Sequence, residues 1–369
     1  MTHLDIVRQR LLNQHLSRPQ FSKSEELVAW LGAVQAQDFA GAKWSLGLRL
    51  KGVSDADIER DFSNGKILRT HLLRPTWHFV ARDDIRWLLA LTAPRVHQAN
   101  AYMYRKLGMD SAVFKRSNDA LAKALAGGKQ LSREELRVAL DRAGVAANGE
   151  FRMSYLLMRA ELDGLVCSGG RQGKKFTYAL LDDRVPRVKM PARDESLAEL
   201  AHRYFRSRGP ATVHDLARWS GLTVVEARRG LEAVKSGLHS EVIGGQSLWF
   251  SAPVQPAKRT TPAAYLLSIY DEFVSGYKDH RAAVTDEIAA RLKSLGNALT
   301  HIMVVSDQFV GAWKPVLEKD AVFVRASPFA SLSSPTAVVT TIALARSYGE
   351  GMRWQDGRRR ETWRGGRTN

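Results

Sequence analysis

A single cysteine, Cys167, excludes an internal disulfide and any zinc site built on paired cysteines. Long apolar runs are missing too. Nothing approaches the roughly 20 apolar residues that a bilayer-spanning helix needs, so no membrane partner is expected. The opening MTHLDIVRQRLLNQHL has no basic-then-apolar leader pattern; with Leu4, Leu11, Leu12 and Leu16 among its apolar positions it reads as an amphipathic helix. These absences fit a soluble protein of a reducing cytoplasm. Common catalytic signatures are equally scarce. There is no glycine-rich phosphate loop closed by Lys-Ser/Thr, no dinucleotide fingerprint and no Gly-x-Ser-x-Gly elbow. The ten histidines show no paired helical spacing. Cys167 sits in an apolar strand pattern that suits an inert buried thiol better than a nucleophile. Hydrolysis of the common metal-assisted or nucleophile-elbow kinds therefore has little support.

What is present is positive charge. Fifty-five Lys and Arg face 38 Asp and Glu in 369 residues, a formal +17 and a pI near 10.1. Such a balance points to a polyanionic partner, nucleic acid foremost, against the plainer reading of solvated basic faces. The basic residues recur on predicted helices and hairpins throughout, which suits a long concave contact surface better than one basic arm. The length predicts two to four modules.

The order of elements repeats. Residues 1–19 read as a helix. Ser22 with Glu25 forms a capping box for a second, whose buried face is Leu27, Trp30, Leu31 and Val34. Helical segments follow at Trp44–Leu50 and Asp55–Phe62, Asn64-Gly65 breaks the pattern, and Ile67–Leu72 and Thr76–Val80 read as a hairpin. A helical region from Arg82 into the 120s contains Pro94. Ser132/Glu135 caps a helix ending at Gly144, Phe151–Asp163 is helical, and strands Leu165–Cys167 and Lys175–Leu180 flank SGGRQGK. Pro186 and Pro191 mark a linker. Beyond it, helix Leu197–Ser207, a Thr212-capped helix through Trp219, Gly221 and helix Val224–Val234 make a helix-turn-helix. Ser240–Ile243 and Ser247–Phe250 close it around Gly244-Gly245. From Pro256 the chain turns β-rich: Tyr265–Tyr270, Leu299–Ser306, Phe309–Trp313 and Ala321–Ala326 are predicted strands, with a helix at Thr285–Leu295. From about Tyr348 a poorly ordered basic tail is expected.

The expected class is therefore α+β, mainly helical. Three tandem winged-helix modules (1–110, 111–190 and 191–255) precede a β-rich domain (256–345) and a tail (346–369).

Two constellations can carry chemistry. Gln35 and Gln37 flank Ala36 and precede Asp38 at a helix end. In a continuing helix, residues two apart point about 200° away from each other and cannot serve one substrate. In an extended chain they share a side, and two amides, each donor and acceptor, can hold one water. The other reading leaves Gln37 on the helix face, bonding a loose backbone group. The second constellation is RTHLLRPTWHFV, where Arg69, His71 and Arg74 interleave with Thr76, Trp77 and His78. Basic and aromatic residues on a wing suit phosphate contact and stacking; Trp77 and Phe79 alternating into a core is the alternative. Arg228 and Arg229 on the helix after Gly221 suit phosphate. The ionisable stretch from Asp271-Glu272-Phe273 to Arg281, with Tyr277 and Lys278, either borders a cleft or is an ordinary charged loop.

Gln35-Ala36-Gln37 is similar to the Gln-apolar-Gln motif of the AlkZ-like winged-helix DNA glycosylases. LRPTWHFV, RGPATVHDLARWSGL, DEFVSGYKDHR and FVGAWK extend the resemblance over residues 5 to 345. A sister branch has an acid at the second motif position, so Gln37 places the chain nearer the AlkZ side. Beyond about Ser327 the helical ending of that family is not recognisable. The resemblance implies tandem winged-helix modules forming a C-shaped molecule around double-stranded DNA, a monomer, and excision of cationic, bulky or crosslinking alkylpurines. Gln37 and Gln35 would be catalytic, without metal or cofactor. Asp38, Arg69, His71, Arg74, Thr76, Trp77, His78, Arg228, Arg229, Tyr277 and Lys278 would contact DNA or lesion. A winged-helix regulator without catalysis is the alternative reading.

Overall fold

The computed structural model describes residues 1–149, 151–251, 264–278, 280–294, 301–318, 321–329 and 352–355. The first helix, α1 (His3–Asn13), starts at a Thr2/Asp5 capping box and stops six residues short of Pro19. The reason is tertiary. His15 takes a left-handed φ of 59°, and its ring packs edge-on against Phe21 and Trp30 at 4.8 and 4.9 Å. Helix α2 (Ser24–Leu31) begins without the expected Ser22/Glu25 box: its N-cap is Lys23, and the Ser24 hydroxyl donates to Asp61 instead. Helix α2 also ends before Val34, which opens a short strand, β1 (Val34–Gln35).

Helix α3 (Phe39–Gly47) lies earlier than the predicted Trp44–Leu50. Long-range packing sets both ends. The Phe39 ring joins Phe62, Phe79 and Phe176, and Arg49, just past the helix, donates back to the Ser45 carbonyl at 2.8 Å. Helix α4 (Asp55–Ser63), β2 (Ile67–Leu72) and β3 (Thr76–Ala81) follow the local pattern. The three strands form one antiparallel sheet in the order β1-β3-β2.

The helical stretch after Arg82 is two helices, α5 (Ile85–Lys106) and α6 (Ser111–Leu125), divided at Gly108 with φ 60°. Pro94 lies inside α5 without ending it. Then come β4 (Leu131–Ser132), α7 (Arg133–Arg142) with its Ser132/Glu135 box, α8 (Arg152–Leu162), β5 (Val166–Ser168) and β6 (Thr177–Leu180). Their sheet order, β4-β6-β5, repeats the first. After α9 (Leu181–Arg184) and the proline linker come α10 (Arg193–Arg208), α11 (Val213–Ser220) and α12 (Val224–Val234). Strands β7 (His239–Ile243) and β8 (Gln246–Phe250) turn through Gly244-Gly245, both with positive φ. Ala211 bridges Trp249 on β8, so the same strand order is traced a third time.

The C-terminal part contains β9 (Ala264–Leu267), α13 (Glu272–Ser275), α14 (Asp286–Ser294), β10 (His301–Val305), β11 (Gln308–Glu318), β12 (Ala321–Pro328) and β13 (Met352–Gln355). They form a sheet in the order β13-β12-β11-β10-β9, antiparallel except for the parallel β12–β13 pair. Of the expected tail, Met352–Gln355 is this edge strand; the remainder lies outside the described residues.

Cores cross the units. Residues on one face of the first hairpin, Leu68, Leu72 and Val80, share a core with α10 and α11. Ile67 and Phe79, on the other face, share one with α2 to α4. The α1 face of Ile6, Val7 and Leu11 buries against Tyr265, Leu267, Val304 and Phe309 of the C-terminal sheet. At the hairpin tip, Leu73 has φ 60° and its carbonyl sits under Gly221, where an added Cβ would come within 2.1 Å. Glycine at 221 lets the first hairpin dock on the third unit's turn.

Candidate active site

The chain leaves α2 through Gly32, φ 75°, and runs extended from Val34. Side chains alternate along such a segment. Val34 and Ala36 are 1% and 0% exposed and enter the core of the first unit, so Gln35 and Gln37 project from the opposite side. This is the same-side arrangement that a shared substrate requires. The two amides sit at different depths. Gln35 is 7% exposed and faces His78 across the β1–β3 ladder, and its Oε1 is buried with no protein hydrogen bond. Gln37 is exposed, and its Oε1 accepts the Trp77 backbone N–H at 3.4 Å. Ala36 N–H donates to the Trp77 carbonyl at 2.8 Å, which keeps the segment in sheet register past Gln35. Asp38, half-buried, starts α3; Gly41 leaves room for its carboxylate, since a Cβ there would lie 2.6 Å from it.

The basic-aromatic hairpin divides between the two faces of its sheet. Thr76 and His78 share the glutamine face. His78 is fully buried; its Nδ1 meets the Thr76 carbonyl at 2.9 Å and its Nε2 has no protein partner. Burial pushes its pKa well below the ordinary histidine value, with Arg74 adding to the effect, so the ring is neutral. Arg74 is half-buried at the hairpin tip, its Nε and Nη2 buried without partners, and burial lowers its pKa. Arg69, His71 and Trp77 face the second unit. The Arg69 guanidinium lies 4.3 Å from the Trp77 ring centroid and 4.7 Å from that of Phe176, and its Nε donates to Ala36 O at 2.9 Å. Burial lowers its pKa to about 10, which leaves it charged at neutral pH. His71 is paired with Glu161 of α8 and packs on Trp77 at 4.3 Å. These three therefore join the first two units, with only Trp77 half-exposed.

The other predicted contacts separate. Arg228 and Arg229 are exposed on α12; Arg229 pairs with Asp194 at 2.5 Å. Lys278 is exposed, and its backbone N–H donates to Asp215 at 2.8 Å. Tyr277 is buried, its hydroxyl donating to the Arg208 carbonyl and accepting from Gln14, with its pKa pushed up to about 12 mainly by burial. Asp271 and Glu272 open the stretch that reads in sequence as a cleft border or an ordinary charged loop. Both are buried, and Glu272 accepts the Gln35 backbone N–H at 2.8 Å. Among the described residues, no three His, Cys, Asp or Glu side chains converge on a metal-sized site.

The model of a family described as DNA glycosylase AlkZ-like matches residues 28–354. The chain belongs to this AlkZ-like DNA glycosylase family. It is 24% identical over 324 residues to the interstrand DNA cross-link repair glycosylase of Streptomyces sahachiroi, spanning 83% of this chain and 86% of that protein. The solved structure of Streptomyces sahachiroi DNA glycosylase AlkZ is similar with a TM-score of 0.77 at 20% identity, over 96% of this chain and 100% of that one. Membership of the AlkZ-like family makes the chain a monofunctional DNA glycosylase of DNA repair, and the non-catalytic regulator reading falls. Glu272, with Arg208 and Trp219 behind it, is what the sequence reading missed. The only signal was an acid pair within an otherwise unexplained charged stretch.

Proposed function

We propose that the enzyme excises cationic alkylpurines, bulky or interstrand-crosslinked ones included, from double-stranded DNA held by three winged-helix modules. One observation carries the reading: two amides project from the same side of an extended segment, one exposed and one just beneath it. The charge of +17 and the exposed Arg228, Arg229 and Lys278 support a duplex partner. The crosslink-repair role of the Streptomyces protein supports the substrate class.

The chemistry asks little of an acid. An alkylated ring nitrogen makes the purine a cationic leaving group. When the bond from C1′ to the base breaks, its electron pair neutralises the ring and the sugar becomes oxocarbenium-like. Water then bonds to C1′ and releases its proton to solvent, giving an abasic site and a neutral alkylated base. Gln37, exposed, positions the water through its amide; Gln35 is its partner beneath. Preorganised dipoles of this kind act without reorganising during the step.

The test is incubation with duplex DNA treated with a bifunctional nitrogen mustard, which alkylates guanine N7, scoring abasic sites. Excision by the wild type and none by the Gln35→Ala/Gln37→Ala variant, with DNA binding kept, is the expected result. A double variant at the wild-type rate overturns the assignment.

A further inference from the structure

Helix α2 stops at Leu31 because of residues far along the chain. In an α-helix each N–H donates to the carbonyl four residues earlier. Were α2 to continue, Gln35 N–H would go to Leu31 O and Gln37 N–H to Ala33 O. Both carbonyls are taken. Arg208, at the end of α10, donates from Nη1 to Leu31 O at 2.6 Å and from Nη2 to Ala33 O at 3.0 Å. The amide side is taken as well, because Gln35 N–H donates to Glu272 Oε1 at 2.8 Å. The two interceptors are bound to each other: Arg208 reaches Glu272 Oε2 from Nη2 at 2.5 Å and from Nε at 3.2 Å. Trp219 Nε1 donates to the same oxygen at 3.0 Å, and the Arg208 guanidinium lies 4.2 Å from the Trp219 ring centroid. Trp219 also packs beneath Gly32, 3.5 Å from where its Cβ would be. The side chains of Arg208 and Glu272 are both 0% exposed.

We infer that Arg208 and Glu272 are positioning residues for the glutamine pair: by capturing the hydrogen-bonding groups that would extend α2, they keep the chain extended from Val34 and so bring both amides to one side. The inference rests on the catalytic reading of Gln35 and Gln37. The Arg208 and Glu272 side chains are both fully buried, so they act through the backbone. Losing the capture frees Leu31 O and Gln35 N–H to pair with each other, adding a turn to α2 and rotating the two amides apart. A misplacement of about 1 Å at a reacting group costs about 100-fold in rate, and this change is larger.

The decisive variant is Arg208→Met/Glu272→Met. Replacing a buried ion pair whole, with apolar residues of similar volume, is often neutral for stability, which separates positioning from mere folding. Mustard-treated duplex is the substrate, with single-turnover excision, duplex affinity, thermal midpoint and hydrogen exchange of the 32–38 segment as readouts. The expected result is a loss of excision of about 100-fold or more, unchanged duplex affinity and altered exchange at Gln35. Should the double variant not fold, Glu272→Gln replaces it; its amide oxygen still accepts from Gln35 N–H, so it keeps most of the excision, where Glu272→Met loses it. Wild-type excision by the folded Met/Met variant, or equal excision by the Gln and Met variants at 272, overturns the inference. Gln35→Ala/Gln37→Ala runs alongside. If it too excises at the wild-type rate, the catalytic reading has failed; if it is inactive while Met/Met is not, only the positioning inference has.

Discussion

Arg49 and Asp271, 222 residues apart, meet in a two-point ion pair with both side chains fully buried: Nη1 reaches Oδ2 at 2.9 Å and Nη2 reaches Oδ1 at 2.8 Å. Burial alone would raise the Asp271 pKa, but the Arg49 guanidinium, the Phe273 N–H and the Ser45 hydroxyl outweigh it and hold the carboxyl below its usual range. Removing one partner strands a buried charge. Arg49→Met is expected to cost about 3–5 kcal/mol, and Arg49→Met/Asp271→Leu to recover most of that loss. Urea unfolding of the three proteins checks it; an additive double variant would mean the two residues do not act as a pair.

The two glutamines should separate in what they cost. Gln37 is exposed, so Gln37→Ala should stay within about 0.5 kcal/mol of wild-type stability and lose about 10²–10³-fold in excision, the usual effect of deleting one preorganised dipole. Gln35→Ala removes a buried side chain and should lower stability as well as rate. Thermal melts beside single-turnover kinetics read both.

His78 sets a pH dependence. Its folded pKa is depressed by burial, with Arg74 contributing. Above about pH 6.5 the ring is neutral in both folded and unfolded states and adds no slope. Below it the unfolded chain takes up a proton that the folded one refuses, so stability falls as pH falls, by up to about 1.4 kcal/mol per pH unit. His15 and His301, depressed by burial too, add in the same direction. His78→Gln should flatten the decline between pH 6.5 and 5 in denaturant titrations; an unchanged slope would mean that His78 is not its source.

Duplex affinity should fall steeply with salt, by about 0.9 in the log–log slope for each phosphate neutralised. Arg228 has no ion-pair partner among the described residues and Arg229 holds Asp194. Arg228→Ala should therefore reduce the slope by nearly one, and Arg229→Ala by less. Fluorescence anisotropy between 50 and 200 mM salt measures both, and equal slopes for all three proteins would place α12 away from the DNA.

What was legible in the sequence was local. The box at Ser132/Glu135, the cap at Thr212, the turn at Gly244-Gly245 and the hairpin strands from Ile67 to Val80 depend on neighbours within a few residues. The end of α2 does not. Whether Val34 to Gln37 wound on or straightened was decided by Arg208 and Glu272, which no periodicity connects to it. The same limit applies to Arg69, His71 and Trp77. A strand that meets DNA and a strand covered by a second unit carry the same residues, and only Glu161 and Phe176, far along the chain, distinguish them. Tyr277 looked like a contact residue for the same reason, its partners Gln14 and Arg208 being remote.

The capture of Gln35 N–H by Glu272 has a consequence for synthesis. At about 5–20 residues per second, Glu272 is added on the order of 10–50 s after Gln37. Until it emerges from the ribosome, the segment has one of its two captors at most. A nascent or prematurely terminated chain ending before α13 can bury its first cores and carry its basic helices, yet it would not hold its amides together. No glycosidic bond is expected to be cleaved before Glu272 has been added.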